Sequence, residues 1–413
     1  MFKIIHTADW HLGQRFAHFD RMAEQQRSLY WLLDLIEAEQ PDALIIAGDV
    51  FDVKSPPNWA RAMWFSFLVD ARARGCRHIV VVGGNHDSPD MLNSPSDLAA
   101  TLGIHIVGSA TAALNDQILP LHDEQGRLQA VVAAVPFLRS SDLRKSISGE
   151  TTAERENHVR QGIKRHYEQL AELTYQTYGD AGVPIITTGH LHASGTEVSD
   201  QQTPIYVGNL ENIDTEDFPA VYDYVALGHI HKAQPVGAPH IRYSGSMLPL
   251  SFKEKVDQKV VCIATFDGHS LAQGVREVQV PTFRSLLGVE GTLDDVKAQL
   301  DILTDALDAS LPELTTWVEL RILTDTRIAN LHTQLEPYKS DRPFLILTTR
   351  LKYTGTQNAD RDHEPIQSLQ ALGVDKVYEM MADQYGGFDK DERQEVDRTF
   401  IELRNWMQER KVE

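Results

Sequence analysis

At 413 residues the chain is longer than one ordinary domain, and 42% hydrophobic with 24% charged residues describes a globular protein able to bury a real core. A net charge of −20 excludes a free-standing nucleic-acid binder of the usual basic kind, so a polyanionic substrate has to be drawn by bound metal, a local basic patch or a partner. Two cysteines, Cys76 and Cys262, exclude a disulfide framework and fit a reducing compartment, and no apolar run approaches the ~18 residues of a membrane span. The first residues enter a strand at once and reach a carboxylate by Asp9, leaving no room for a signal peptide, so a cytoplasmic protein is expected.

Phe2 to Thr7 reads as a first strand that ends at Ala8-Asp9-Trp10-His11. Leu29, Leu32, Leu33 and Ile36 fall at helical spacing, on a helix that Pro41 stops. Ala43 to Ala47 is a second, wholly apolar strand, ending at Gly48-Asp49-Val50-Phe51-Asp52. Trp59 to Arg74 is another helix, and Ile79 to Val82 a third strand opening into Gly83-Gly84-Asn85-His86-Asp87. Alternating strands and helices with polar clusters at the strands' carboxyl ends are the pattern of an α/β sheet carrying its functional groups on one edge.

Ile104 to Val107 and Ala130 to Val135 continue the sheet, and Pro136-Phe137-Leu138-Arg139 leaves it for a polar, helical stretch up to Leu170. Pro184 to Thr188 is a strand ending at Gly189-His190, and Tyr224 to Leu227 one ending at Gly228-His229-Ile230-His231. Strands around Ile241 to Tyr243 and Lys259 to Phe266 complete a body expected to finish near Pro281. The pattern then restarts: strand Leu286 to Val289, helix Asp294 to Ala309, strand Trp317 to Leu323, helix Ile328 to Leu335, strand Phe344 to Tyr353. That predicts a small α+β module of roughly 75 residues. A polar linker and two helices, Val374 to Met381 and Asp391 to Met407, close the chain. The expected domains are therefore 1–281, 282–354 and 355–413.

Collected in order, the strand-end groups are Asp9 and His11, Asp49, Asn85 and His86, His190, then His229 and His231. Imidazoles, carboxylates and one amide oxygen, without a thiolate, suit divalent manganese, iron or zinc. Asp9 and His11 stand two apart on extended chain, so both side chains leave one face and can grip one ion. A carboxylate has two oxygens, and Asp49 can bridge two ions ~3.5–4 Å apart. Asp9, His11 and His231 would complete one site, and Asn85, His190 and His229 the other. His86, beside a ligand but not itself one, is placed to protonate a leaving oxygen or to stabilise transferred phosphoryl charge, with Asp87 or Asp52 to orient it.

Asp9-x-His11, Gly48-Asp49-x-x-Asp52, Gly84-Asn85-His86-Asp87, Gly189-His190 and Gly228-His229-x-His231 resemble the five motifs of the calcineurin-like metallophosphoesterases. The resemblance covers residues 1 to about 280 and implies a four-layer α/β/β/α sandwich with two divalent ions. More narrowly, His6 to Gly13, Ala47 to Asp52, Pro136 to Arg139 and Arg242 to Phe252 are similar to the nuclease subunits of bacterial SbcCD-type DNA-repair complexes. The module from Ser285 resembles that family's capping domain, and the terminal helices its docking segment for an SbcC-type, SMC-like ATPase. This likeness implies a manganese-dependent nuclease, 3'-5' exonuclease and endonuclease, working on duplex ends, hairpins and single strands. It would form a homodimer holding two ATPase chains, and it involves no membrane.

The partner and the ions answer the charge objection, and Arg139 and Arg144 are the basic side chains expected to face DNA. An additional histidine, His192, departs from the family pattern. A small-molecule phosphodiesterase or nucleotidase of the same fold is the alternative, and a catalytically inert scaffold a further one; the former has little need of a capping module, and the latter would have lost ligands.

Overall fold

A computed structural model describes residues 1–111, 113–143, 151–196, 213–307, 312–326 and 328–354, with 378, 393 and 395–400. The chain divides into two compact units, Met1–Tyr353 and Thr354–Glu413. The two expected C-terminal helices and Arg144 fall mostly or wholly outside the described residues.

Two six-stranded sheets form the body of the first unit. One runs in the order Ser270–Gln279, Val260–Asp267, Phe2–Thr7, Ala43–Ala47, His78–Val82, Ile104–Val107. The other runs Gln234–Val236, Ala238–Tyr243, Tyr224–Gly228, Ile185–His190, Leu128–Ala133, Ile118–His122. Their central strands are apolar at nearly every position because both faces are covered. Alternate residues sort between layers: Ile4, Ala43, Ile45, Val80 and Val82 meet Val132, Ile186, Tyr224 and Ala226 between the sheets. The intervening Ile5, Leu44, Ile46, Ile79 and Val81 pack outward under helices Met22–Glu39 and Asn58–Ala73. On the far side Ile185, Val225 and Leu227 pack under helix Thr152–Tyr178 through Val159, Ile163, Tyr167 and Leu170. The result is four layers, α/β/β/α.

Of the strands absent from the sequence reading, Ile118–His122, Gln234–Val236 and Ser270–Gln279 are at the edges of these sheets, and Arg15–Phe16 and Phe19–Asp20 form a separate two-stranded sheet. An edge strand needs no continuous apolar run and tolerates Pro120 and Pro235, so it lacks the signature of a buried strand. The polar stretch expected to be helical from Arg139 is helical at Ser140–Leu143, and its long helix Thr152–Tyr178 opens where the Thr151 and Glu154 side chains form a reciprocal cap. The expected helix from Ile328 is reduced to Leu331–Leu335, because Asn330 takes a left-handed conformation (φ 55°) ahead of it.

Beyond the body, three parallel strands, Leu286–Gly291, Thr316–Thr324 and Phe344–Tyr353, carry helix Leu293–Ala306. This module has its own core around Val289, Val296, Leu300, Val318, Leu320 and Phe344. It seats on the body where Leu286 and Trp317 meet Phe16 and Phe252. Arg284 stacks over Trp317, 4.0 Å from guanidinium carbon to ring centroid, and lies 3.4 Å from Glu24, which also holds Arg21 at 2.6 Å. Among the described residues no helix is long and apolar enough to cross a membrane.

Candidate metal centre

Within each sheet the strands that carry the chemistry run parallel, so their carboxyl ends arrive on one rim. Within the first sheet the Asp9 amide donates to Gly48 O at 3.0 Å. Bonds between the sheets tie the two rims together: the His229 amide donates to the Asp9 carboxylate at 3.0 and 3.1 Å. His190 Nδ1 donates to Ala47 O at 2.8 Å. A carbonyl only accepts, so that bond places the ring proton on Nδ1 and turns Nε2 inward, 3.0 Å from Asn85 Oδ1 and 3.3 Å from Asp49 Oδ2.

Asp9, His11, Asp49 and His229 all adopt positive φ (53°, 46°, 50° and 100°), a backbone region that non-glycine residues rarely occupy. The surrounding packing holds that strain, which converges the side chains on one point. Gly84 and Gly228 make the approach possible: a Cβ at Gly84 would strike the Asp49 carboxylate and main chain, and one at Gly228 the Ala47 carbonyl.

Three sets of side chains each place one ligand atom within 4.8 Å of the others: Asp9, His11 and His231; Asp9, Asp49 and His190; His11, Asp52 and His86. His11 Nδ1 donates to Asp52 Oδ1 at 3.1 Å, while its buried Nε2 has no hydrogen-bond partner among the described residues and points at Asp49 Oδ2, 3.6 Å away. A buried lone pair facing carboxylates is what a cation completes, so the donor set fits divalent metal.

The electrostatics agree. Burial opposes charge on His11, but its bond to Asp52 and the nearby Asp49 and Asp9 outweigh it and raise the ring to about 9. His190 is likewise opposed by burial and raised to about 9 by Asp49 and Asp9. Asp49, though buried, is held far below the usual carboxylate range by His190 and His11. Burial raises Asp9, and burial with the neighbouring His190 pushes His229 well below an ordinary imidazole.

His86 is exposed at the rim, its amide on Asp49 Oδ1 (2.9 Å) and its Nδ1 on the Asp52 main-chain oxygen (2.7 Å). Its ring centroid is 4.9 Å from that of His11. Of the two residues that the sequence reading puts behind His86, Asp52 holds it through that main-chain oxygen, and both carboxylates serve other groups. Asp52 uses its own on His11, and Asp87 accepts from the amides of Gly84 (2.8 Å), Phe51 (3.0 Å) and Val50 (3.2 Å). Asp87 thus clamps the turn after the second strand to the turn after the third. Arg139 follows Phe137, whose amide donates to Gly83 O and whose ring lies 6.5 Å from His190, so it stands near the same rim. His192 sits beside the centre, 6.4 Å ring to ring from His229.

Sequence reasoning did not single out Glu254 and Lys259. Glu254 takes His231 Nδ1 at 3.3 Å and Lys259 Nζ at 2.7 Å behind the centre. An acid inside a short polar run carries no signal of this kind, because only the fold brings it under His231.

Comparisons with known proteins agree with this architecture. The calcineurin-like phosphoesterase family model matches residues 2–233, and the model described as type 5 capsule protein repressor C-terminal domain matches 282–384. The D subunit of the nuclease SbcCD from Escherichia coli K12 is 37% identical over 377 residues, covering 91% of each chain. Its counterpart from Bacillus subtilis is 34% identical over 312 residues, covering 72% of this chain and 76% of its own. A dimetal phosphatase from Danio rerio matches 68% of the chain at 12% identity with a TM-score of 0.37, too loose a likeness to add weight. The motifs, the layered fold and these relatives together make the chain a member of the SbcD family of SbcCD nuclease subunits, within the calcineurin-like phosphoesterases.

Proposed function

We propose that this chain is the catalytic subunit of an SbcCD-type complex, hydrolysing DNA phosphodiesters at duplex ends, hairpins and single strands as 3'-5' exonuclease and endonuclease. The reading is supported above all by one observation: Asp9, His11 and His231, and Asp9, Asp49 and His190, bring ligand atoms within 4.8 Å of one another, with Asn85 Oδ1 3.0 Å from His190 Nε2 and the His229 ring 5.5 Å from that of His190. In this reading Asp9, His11 and His231 would hold one manganese ion and Asn85, His190 and His229 a second, with Asp49 shared between them. Such ions neutralise phosphate charge and lower the pKa of water for in-line attack on phosphorus.

The protein's own residues do the rest. His11 and His190 present Nε2 because Asp52 and Ala47 O hold their other nitrogens. His86, held at Nδ1 and open to solvent, protonates the leaving oxygen or stabilises phosphoryl charge in the transition state. Asp87 and Asp52 act through the backbone and ligands they hold. Arg139 is assigned to the DNA backbone, and Arg144 joins it by sequence position alone.

Residues 1–281 form the nuclease domain in this reading, 282–354 the capping domain and 355–413 the docking segment for an SbcC-type ATPase, two copies of each subunit making the assembly. The ATPase supplies DNA-holding surface that a chain of charge −20 lacks. A DNA substrate and two buried free thiols fit a cytoplasmic place of action. A manganese-dependent cleavage assay on hairpin DNA, with and without the ATPase and ATP, tests the proposal: cleavage stimulated by both is expected. Turnover of cyclic nucleotides with none of DNA would replace it with the small-molecule phosphodiesterase.

A further inference from the structure

Glu254 is 2% exposed and belongs to the short helical turn Phe252–Val256, far along the chain from every strand-end motif except the last. Both carboxylate oxygens are in use. Oε1 takes His231 Nδ1 at 3.3 Å and Ser251 Oγ at 3.3 Å; Oε2 takes Lys259 Nζ at 2.7 Å and the Leu250 amide at 3.1 Å. Lys259, 7% exposed, also donates to the main-chain oxygen of His231 at 3.0 Å and to Ser246 Oγ at 3.0 Å. One buried ion pair thus grips His231 twice, by ring and by backbone.

An ionised carboxylate only accepts, so the bond to Glu254 puts the His231 proton on Nδ1 and leaves Nε2 as the nitrogen able to take an ion, in a ring that has a nitrogen within 4.8 Å of ligand atoms of Asp9 and His11. Two residues before Glu254, Phe252 packs edge-on against Phe16 (5.1 Å between centroids) in the cluster that seats Trp317 and Leu286 of the three-stranded module. The turn that holds His231 is therefore itself held by the module.

We infer that Glu254 is a positioning residue for the metal centre, fixing the tautomer and aim of His231 and joining that ligand to the seat of the appended module. The inference rests on the reading of His231 as a ligand. It requires the ion held by Asp9, His11 and His231 to bind more weakly when Glu254 loses its charge, while the other site is untouched.

The test is manganese titration of the full-length chain by calorimetry and electron paramagnetic resonance, comparing wild type, Glu254→Gln, Glu254→Asp and His231→Ala. Glu254→Gln should weaken one of two ions by about tenfold or more, the usual range for a partner behind a ligating histidine. Glu254→Asp, which keeps the acceptor charge, should recover part of the loss, a rescue that a purely structural role does not predict. In zinc-loaded protein, imidazole ¹⁵N shifts should report His231 protonated at Nδ1 in wild type and altered in Glu254→Gln. Should Glu254→Gln not fold, the paired variant Glu254→Gln with Lys259→Met removes both buried charges and is titrated instead. Two ions bound by Glu254→Gln as tightly as by wild type, with His231→Ala weakened, would overturn the inference and leave the ligand reading standing. If His231→Ala too binds both ions normally, the ligand reading falls with it.

Discussion

His6 and His11 stand five residues apart, one in the first strand and one just past its end, and their surroundings give them opposite protonation states. His6 lies wholly buried with Tyr224 as its hydrogen-bond partner at 3.0 Å, and burial, helped by Arg242, pushes it down to about 3. Its folded value lies below the ordinary 6.5, so the unfolded chain takes up a proton first as pH falls. Stability should decline between about 6.5 and 3, and His6→Asn should flatten that decline in urea titrations at stepped pH. His11 and His190 are raised to about 9, the reverse sign: in the metal-free protein their contribution is full below 6.5 and fades as pH rises through 9. Manganese must displace those protons, so its apparent affinity should climb between about pH 6 and 9 with proton release. Calorimetry in buffers of different ionisation enthalpy measures both. His86 belongs to a different class, since it holds no place among the proposed ligands. His86→Gln should bind two manganese ions normally yet lose about 10²–10⁴-fold in hairpin cleavage. Weakened metal binding in that variant would show it to be a ligand.

At the scale of elements, the strand ends decide the site. Central strands announced themselves through continuous apolar runs, and the motifs at their ends were readable for the same reason: a buried strand forces its polar neighbours onto the rim. Edge strands were not readable, nor was the start of the long helix at Thr152, because partial exposure and a cap override periodicity. The turns are as tight as the strands are regular. A methyl at Gly228 would strike the Ala47 carbonyl and crowd His190, so Gly228→Ala should cost about 1–3 kcal/mol in thermal or urea unfolding. It should also weaken manganese binding, because the segment carrying His229 has to move. An unchanged melting curve and titration would show that the rim relaxes more freely than its packing implies.

For the whole molecule, Met1–Tyr353 and Thr354–Glu413 are separate compact units, and the proposed docking segment lies in the second. Deleting 374–413 should leave the body folded and able to bind manganese, while an SbcC-type ATPase no longer co-purifies; unaltered co-purification would sink the docking assignment. The sequence by itself determined the apolar strands, the order of the five motifs and the donor types, since these come from burial and from metal chemistry read locally. Tertiary structure alone decided which donor faces which. Asp52 holds His86 by its main-chain oxygen and His11 by its carboxylate, while Asp87, the sequence neighbour of His86, serves the turn backbones. Glu254 reaches His231 across 23 residues of chain, by way of a turn that the module's packing holds. Spacing along a strand fixes the face a side chain leaves by, but contacts between strand ends of different sheets depend on how those sheets pack, and no local pattern encodes that.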